Sequence, residues 1–211
     1  MYALVTDGTI TKYFSYPKGF TLGDNQYPAD IFMKWSVEEK EAIGIYEVVF
    51  DDSNKKDEQW YINTNQSFAF ANDTVTASYG SATAKAHADT TWSQDDEDAG
   101  DLPDDKSVND IKTTGLKTNL INVIKQQAAG LLAPTDWYVI KANELADYSV
   151  PSNITTFRAL VRSKSNAMET QITNASNTPA LETLYAYVNT ADVGETPVYA
   201  RPLGELPTLE I

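Results

Sequence analysis

Between residues 91 and 105 the chain carries seven Asp/Glu and no Lys or Arg. A block of like charge repels itself and stays extended. This stretch therefore reads as a linker, and it separates a strand-patterned first half from a helix-patterned second half. Strands and helices segregated along a chain define the α+β class. The expected layout is a β-rich lobe with one short helix over 1–90 and the acidic linker over 91–105. A helical lobe packed on a short strand follows over 106–188, and an extended, Pro-rich arm closes the chain over 189–211.

In the first lobe, Tyr2 to Val5 is apolar, Asp7-Gly8 is a hairpin-type pair and Ile10 to Phe14 alternates, which predicts a two-stranded ribbon. Residues 15–30 hold Pro17, Gly19, Gly23 and Pro28 and read as a loop. Ser36 with Glu39 three residues on is a capping box, and Gly44 offers a stop for the helix it opens. Strands are expected over Ile45 to Phe50 and Gln59 to Asn63, then as a pair around Asn72-Asp73.

In the second lobe, Ser107 with Asp110 opens a helix that Gly130 and Pro134 end, and Asp136 to Lys141 reads as a strand. Val150-Pro151-Ser152 then launches the clearest helix. Its apolar positions Ile154, Phe157, Val161, Met168 and Ile172 recur at three- and four-residue spacing. Asn177-Thr178-Pro179 places a proline in the first turn of a further helix, with Leu181, Leu184, Tyr185 and Val188 inward. Beyond Asn189, Pro197, Pro202 and Pro207 deny backbone donors, so the arm is expected to lie across a neighbouring subunit.

Charge narrows the partners. The net charge is −14, and such a surface repels phosphate backbones and anionic lipid alike. Nucleic acid and membrane are not expected as partners. The chain has no Cys, so neither thiolate chemistry nor a disulfide framework enters, in keeping with a reducing compartment. No basic leader or long apolar run opens the sequence, and a soluble protein is expected.

Candidate chemistry is thin. His87 is the sole histidine and is followed by Asp89, but a catalytic pair needs a nucleophile and an orienting group besides. An idle histidine is the simpler reading. The acidic run tested as a calcium loop from Asp95 gives Glu97, Ala99, Gly100 and Lys106 at the diagnostic places. It fails at two of them, the closing carboxylate included. No phosphate-binding, dinucleotide or nucleophile-elbow motif occurs. No catalytic residue, metal or cofactor is expected, and the chain reads as a non-enzymatic protein. Arg158 and Arg162, four apart on the long helix, are candidates for a partner contact or for ion pairing on a solvated face. On the expected strand, Trp137 and Tyr138 point to opposite sides, so that one packs on the helix and the other meets a partner.

Thr135-Asp136-Trp137-Tyr138, Val150-Pro151 and Phe157-Arg158-Ala159-Leu160-Val161-Arg162 together resemble the C-terminal module of tail-fibre assembly proteins and related tail structural proteins of tailed bacteriophages. Tyr2-Ala3-Leu4-Val5 with Asp7-Gly8-Thr9-Ile10, the segment from Trp35 to Lys40, and the late stretch from Arg201 to Pro207 are similar to other modules of the same proteins. Phe157 stands where those proteins commonly have Tyr, and the acidic insert is longer. The resemblance implies a virion protein of the tail, at the baseplate or the tail-fibre attachment region. It would be assembled in the host cytoplasm and present in several copies, in contact with other tail or fibre proteins. The alternatives are an assembly chaperone absent from the mature virion and, in another class, a carbohydrate-binding or cleaving tail module. The resemblance carries no catalytic residues. The expected partner-binding residues are Trp137, Arg158, Arg162, Tyr199, Leu203 and Leu206.

Overall fold

Asp7 (φ 51°) and Gly8 (φ 74°) both adopt the left-handed backbone conformation of a two-residue hairpin turn, whose twist matches that of its strands. They join β1 (Tyr2–Thr6) to β2 (Thr9–Phe14), as the sequence predicts. Asn72 (φ 49°) and Asp73 (φ 55°) make the same kind of turn further along. The structure, a computed structural model, describes residues 1–209. The chain is α+β and divides into two compact units, Met1–Thr83 and a second from Ala84 onward.

The loop expected over 15–30 contains a hairpin, β3 (Phe20–Leu22) with β4 (Asn25–Tyr27), turned at Gly23 (φ 58°). The single expected helix is two: α1 (Ile31–Lys34) and α2 (Val37–Glu41). Trp35 between them is extended, with ψ 145°, so the first helix cannot continue into the second. Ser36 then caps α2 through the full capping box with Glu39, and Gly44 (φ 80°) ends the segment. A Cβ at Gly44 would lie 2.3 Å from the Val5 carbonyl oxygen, so glycine is needed there for contact as well as for φ.

The remaining strands of this unit are β5 (Ile45–Asp51), β6 (Tyr61–Ile62), β7 (Gln66–Ala71) and β8 (Thr74–Tyr79). Five of the strands form one sheet in the order β2-β1-β5-β8-β7, antiparallel except for the β5–β8 pair. Interior strand β1 is buried on both faces. Leu4 joins Phe14, Phe20, Ile31, Phe32 and Ile45 on one side. Ala3 and Val5 join Val48, Val75 and Ala77 on the other. Each such large side chain contributes roughly 1.5–3 kcal/mol on burial. The sheet curls until Tyr13 of β2 and Phe68 of β7, on its two outer strands, lie with ring centroids 4.7 Å apart.

At the junction of the units lies β9 (Thr83–Ala84). The next strands, β10 (Thr90–Thr91) and β11 (Ile111–Thr113), pair with each other. They bracket the acidic run, which is not an extended linker: Gln94–Asp98 is a helix, α3, inside the second unit. Ser93 caps it through a box closed by the Asp96 carboxylate. Asp95, Asp96 and Glu97 occupy its first turn, where acids oppose the positive end of the helix dipole. Lys112 on β11 pairs with Asp96 at 2.6 Å and stands over the Trp92 ring.

Ser107 and Asp110 make a turn, not a helix start. The helix begins nine residues later as α4 (Leu116–Leu132). A 3-10 turn, Ala133–Thr135, carries it directly into α5 (Asp136–Glu144), which replaces the expected strand. Pro134 falls in that 3-10 segment, where the chain passes from α4 into α5. The second unit is thus helix packed on helix, α4 against α6 (Ser152–Asn174), with no strand packed beneath them among the described residues.

The stripe predicted on α6 is buried throughout: Ile154, Phe157, Val161, Met168 and Ile172. Helix α7 (Thr178–Tyr185) is capped by Asn177, with Pro179 in its first turn. Leu181 is fully buried, while Val188, expected inward, is exposed.

The C-terminal segment is not a free extended arm. It forms the hairpin β12 (Val188–Asn189) with β13 (Tyr199–Ala200), then returns to its own unit. The Leu203 N–H donates to the Leu184 carbonyl at 2.9 Å, and Gly204 (φ 80°) turns the chain. Leu206 and Leu209 then pack on Ala128, Phe157 and Val161.

Candidate functional site

Helix α5 is the anomaly of the second unit. It carries Trp137, Tyr138, Val139 and Ile140 in succession, yet none of its residues is buried. Trp137 is 49% exposed and Ile140 56%. Trp137 and Tyr138 do not point apart as strand neighbours would. Their ring centroids lie 3.9 Å apart, and Lys141 Nζ stands over the Trp137 ring and, more closely, over that of Tyr148. The lysine alkyl chain and two aromatic rings thus make a rigid apolar ridge with a cationic edge.

What holds this helix in place is Arg158. Its guanidinium is buried and donates from Nη1 to Thr135 Oγ1 at 2.6 Å and to the Leu132 carbonyl at 3.0 Å. Its Nη2 pairs with the Asp136 carboxylate at 2.8 Å. Three partners at the α4–α5 joint occupy one planar fork, which suits Arg and no other side chain. Arg158 is therefore a structural clamp, and its ion pair is not on a solvated face as the sequence allowed.

Arg162, one turn on, differs. It is exposed, its Nη1 reaches only the Arg158 carbonyl at 3.5 Å, and among the described residues no carboxylate pairs with it. Val139, Val150, Thr155 and Ala159 join the two arginines around an open groove of about 350 Å³ between α5 and α6. The sequence pointed to the arginines but not to Val139, Val150 and Ala159. These become visible only when 136–144 is wound as a helix.

The C-terminal candidates separate in the same way. Tyr199 is 64% exposed on β13. Leu203 is 2% exposed and belongs to the core. Leu206 is half-buried beside Gln127, Gly130, Leu131, Arg201 and Glu205. Leu203 is not available as the free contact expected of it, because its own unit covers it, while Leu206 is covered only in part.

The tip between β12 and β13 is ordered by its own backbone. Asn189 Oδ1 accepts from the Ala191 and Val198 N–H groups, the Glu195 N–H donates to the Asp192 carbonyl, and Gly194 (φ 96°) makes the bend. It presents Val193, fully exposed, between the acids Asp192 and Glu195.

His87 takes part through its backbone: its carbonyl accepts the Lys117 N–H at the start of α4. Asp89 beside it accepts from the Gly115 N–H and the Thr118 hydroxyl, and so serves the helix rather than the histidine. Among the described residues, no group of three or more His, Asp or Glu is gathered to hold a metal ion. No described helix is long and apolar enough to cross a membrane. No family model, curated protein or solved structure matches the chain.

Proposed function

We propose that this chain is a non-enzymatic structural protein of a bacteriophage tail, at the baseplate or the tail-fibre attachment region, acting through contacts with other tail proteins. The observation that carries the contact role is α5, whose Trp137, Val139 and Ile140 are held in place yet left exposed. Clustered apolar side chains on a fixed element favour association with another protein. The tail assignment rests on the sequence resemblance alone, that of 135–138 and 157–162 included, and the Trp-bearing strand of that resemblance is a helix in this chain. Its partners are other tail or fibre proteins, and it acts in several copies within the virion.

Mass spectrometry of purified virions tests the reading. Stoichiometric presence of the chain supports it. Absence from virions, with recovery bound to fibre subunits in the infected cell, favours an assembly chaperone. Cleavage of a host polysaccharide by the purified chain would favour the third reading, a carbohydrate-active module.

A further inference from the structure

We propose that the tip of the β12–β13 hairpin of one copy seats in the α5–α6 groove of a second copy. This head-to-tail contact deepens the protein-contact reading above and rests on it. The two surfaces are complementary in charge and in apolar character. The groove is apolar along Val139, Val150 and Ala159 and carries Arg162, a cation with no carboxylate partner among the described residues. The tip offers one fully exposed apolar side chain, Val193, flanked by Asp192 and Glu195. Its backbone is already fixed by the hydrogen bonds of Asn189 and Asp192, so little ordering remains to oppose binding. The tip lines no part of its own chain's groove. Tyr199 and Val198, both exposed on the same hairpin, extend the contact beyond the tip.

Copies with a net charge of −14 repel in general, but that repulsion is screened beyond about 8 Å at physiological salt. Close pairing of Arg162 with an acid is screened less. Since the two faces differ, the contact is heterologous: each copy both gives a tip and offers a groove, and association continues until a ring closes.

The test uses the full chain in sedimentation velocity across a concentration series. The wild type gains mass with concentration. Arg162→Glu breaks the groove, Asp192→Asn with Glu195→Gln removes the charge of the tip without making it complementary to the altered groove, and each variant associates at least about tenfold more weakly. All three residues are exposed, so the melts stay unchanged. Should Arg162→Glu lower the melt, Ala159→Glu in the same groove replaces it. An equimolar mixture of groove and tip variants retains one intact tip and one intact groove. It forms a dimer and stops there. A wild type that stays monomeric, variants that associate as well as the wild type, or a mixture that remains monomeric would each overturn the contact. A chain that is monomeric alone yet stoichiometric in virions sinks this contact and spares the tail reading. Self-association by a chain absent from virions does the reverse.

Discussion

The Asp89 carboxylate caps a helix whose N-cap residue lies 26 residues later: its Oδ1 accepts the Gly115 N–H at 2.6 Å. Its other oxygen takes the Thr118 hydroxyl at 2.8 Å. Gly115 has no side chain to cap α4 itself, and a Cβ there would lie 2.3 Å from the Ala88 backbone. The glycine thus admits the non-regular segment that supplies the cap. Asp89→Ala should lower stability by about 1 kcal/mol, the usual worth of an N-cap. Gly115→Ala should destabilise by about 1–3 kcal/mol through overpacking. Urea unfolding of both variants measures the two effects.

Asp96 makes the acidic run pH-sensitive. Lys112, then the Ser93 backbone N–H and hydroxyl, hold its carboxyl far below the usual carboxylate range. A group depressed in the folded state stabilises it above the unfolded value, about 3.9 for Asp. That contribution is lost as pH falls through the folded value. Asp96→Ala should therefore melt earlier than wild type at pH 6–7, and the gap should narrow on acidification below about pH 4. A gap that is constant with pH would show that the Lys112 pair does not stabilise α3.

The local signals in the sequence were sufficient wherever structure is set within a few residues. Asp7-Gly8, Asn72-Asp73, the Ser36–Glu39 box and the 154–172 stripe all appear where turn chemistry and periodicity place them. The failures share a cause at longer range. Trp137 to Ile140 have strand-type composition, but Arg158, over twenty residues away, pins their first turn to the end of α4. Ser93 and Asp96 carry capping-box spacing that the surrounding charge obscured, and the balancing Lys112 lies sixteen residues on. Of the proposed contact surface, Arg162, Trp137 and Tyr199 were named from the sequence, whereas the apolar groove beside Arg162 depends on α5 being a helix.

Leu203 corrects the expectation of an arm that lies across a neighbouring subunit. Because it is 2% exposed and tied through its N–H to Leu184, the segment beyond the hairpin completes the core of its own unit. Leu203→Ala should cost about 2–5 kcal/mol. Deleting residues 190–211 should broaden the thermal transition and promote precipitation by uncovering Ala128, Phe157 and Val161. A truncated chain with a wild-type melt would show that Leu203, Leu206 and Leu209 contribute no net stability.

Trp137 and Phe157 separate contact from fold. Both are large aromatics in the second unit, but Phe157 is 5% exposed and Trp137 49%. Phe157 fills the space between α4 and α6 beside Ala128 and Val161, so Phe157→Ala should lower stability by about 3–5 kcal/mol. Trp137 rests on Tyr138 and Lys141 at the surface, and Trp137→Ala should stay within about 0.5 kcal/mol of wild type. Truncating a central aromatic of a contact surface weakens binding by about 2 kcal/mol or more, roughly thirtyfold. A purified Trp137→Ala chain should therefore melt normally and yet enter particles poorly in a phage carrying the substitution. If its melt falls as far as that of Phe157→Ala, the ridge on α5 serves the fold. If it assembles as well as wild type, the exposed face of α5 is not where the partner binds.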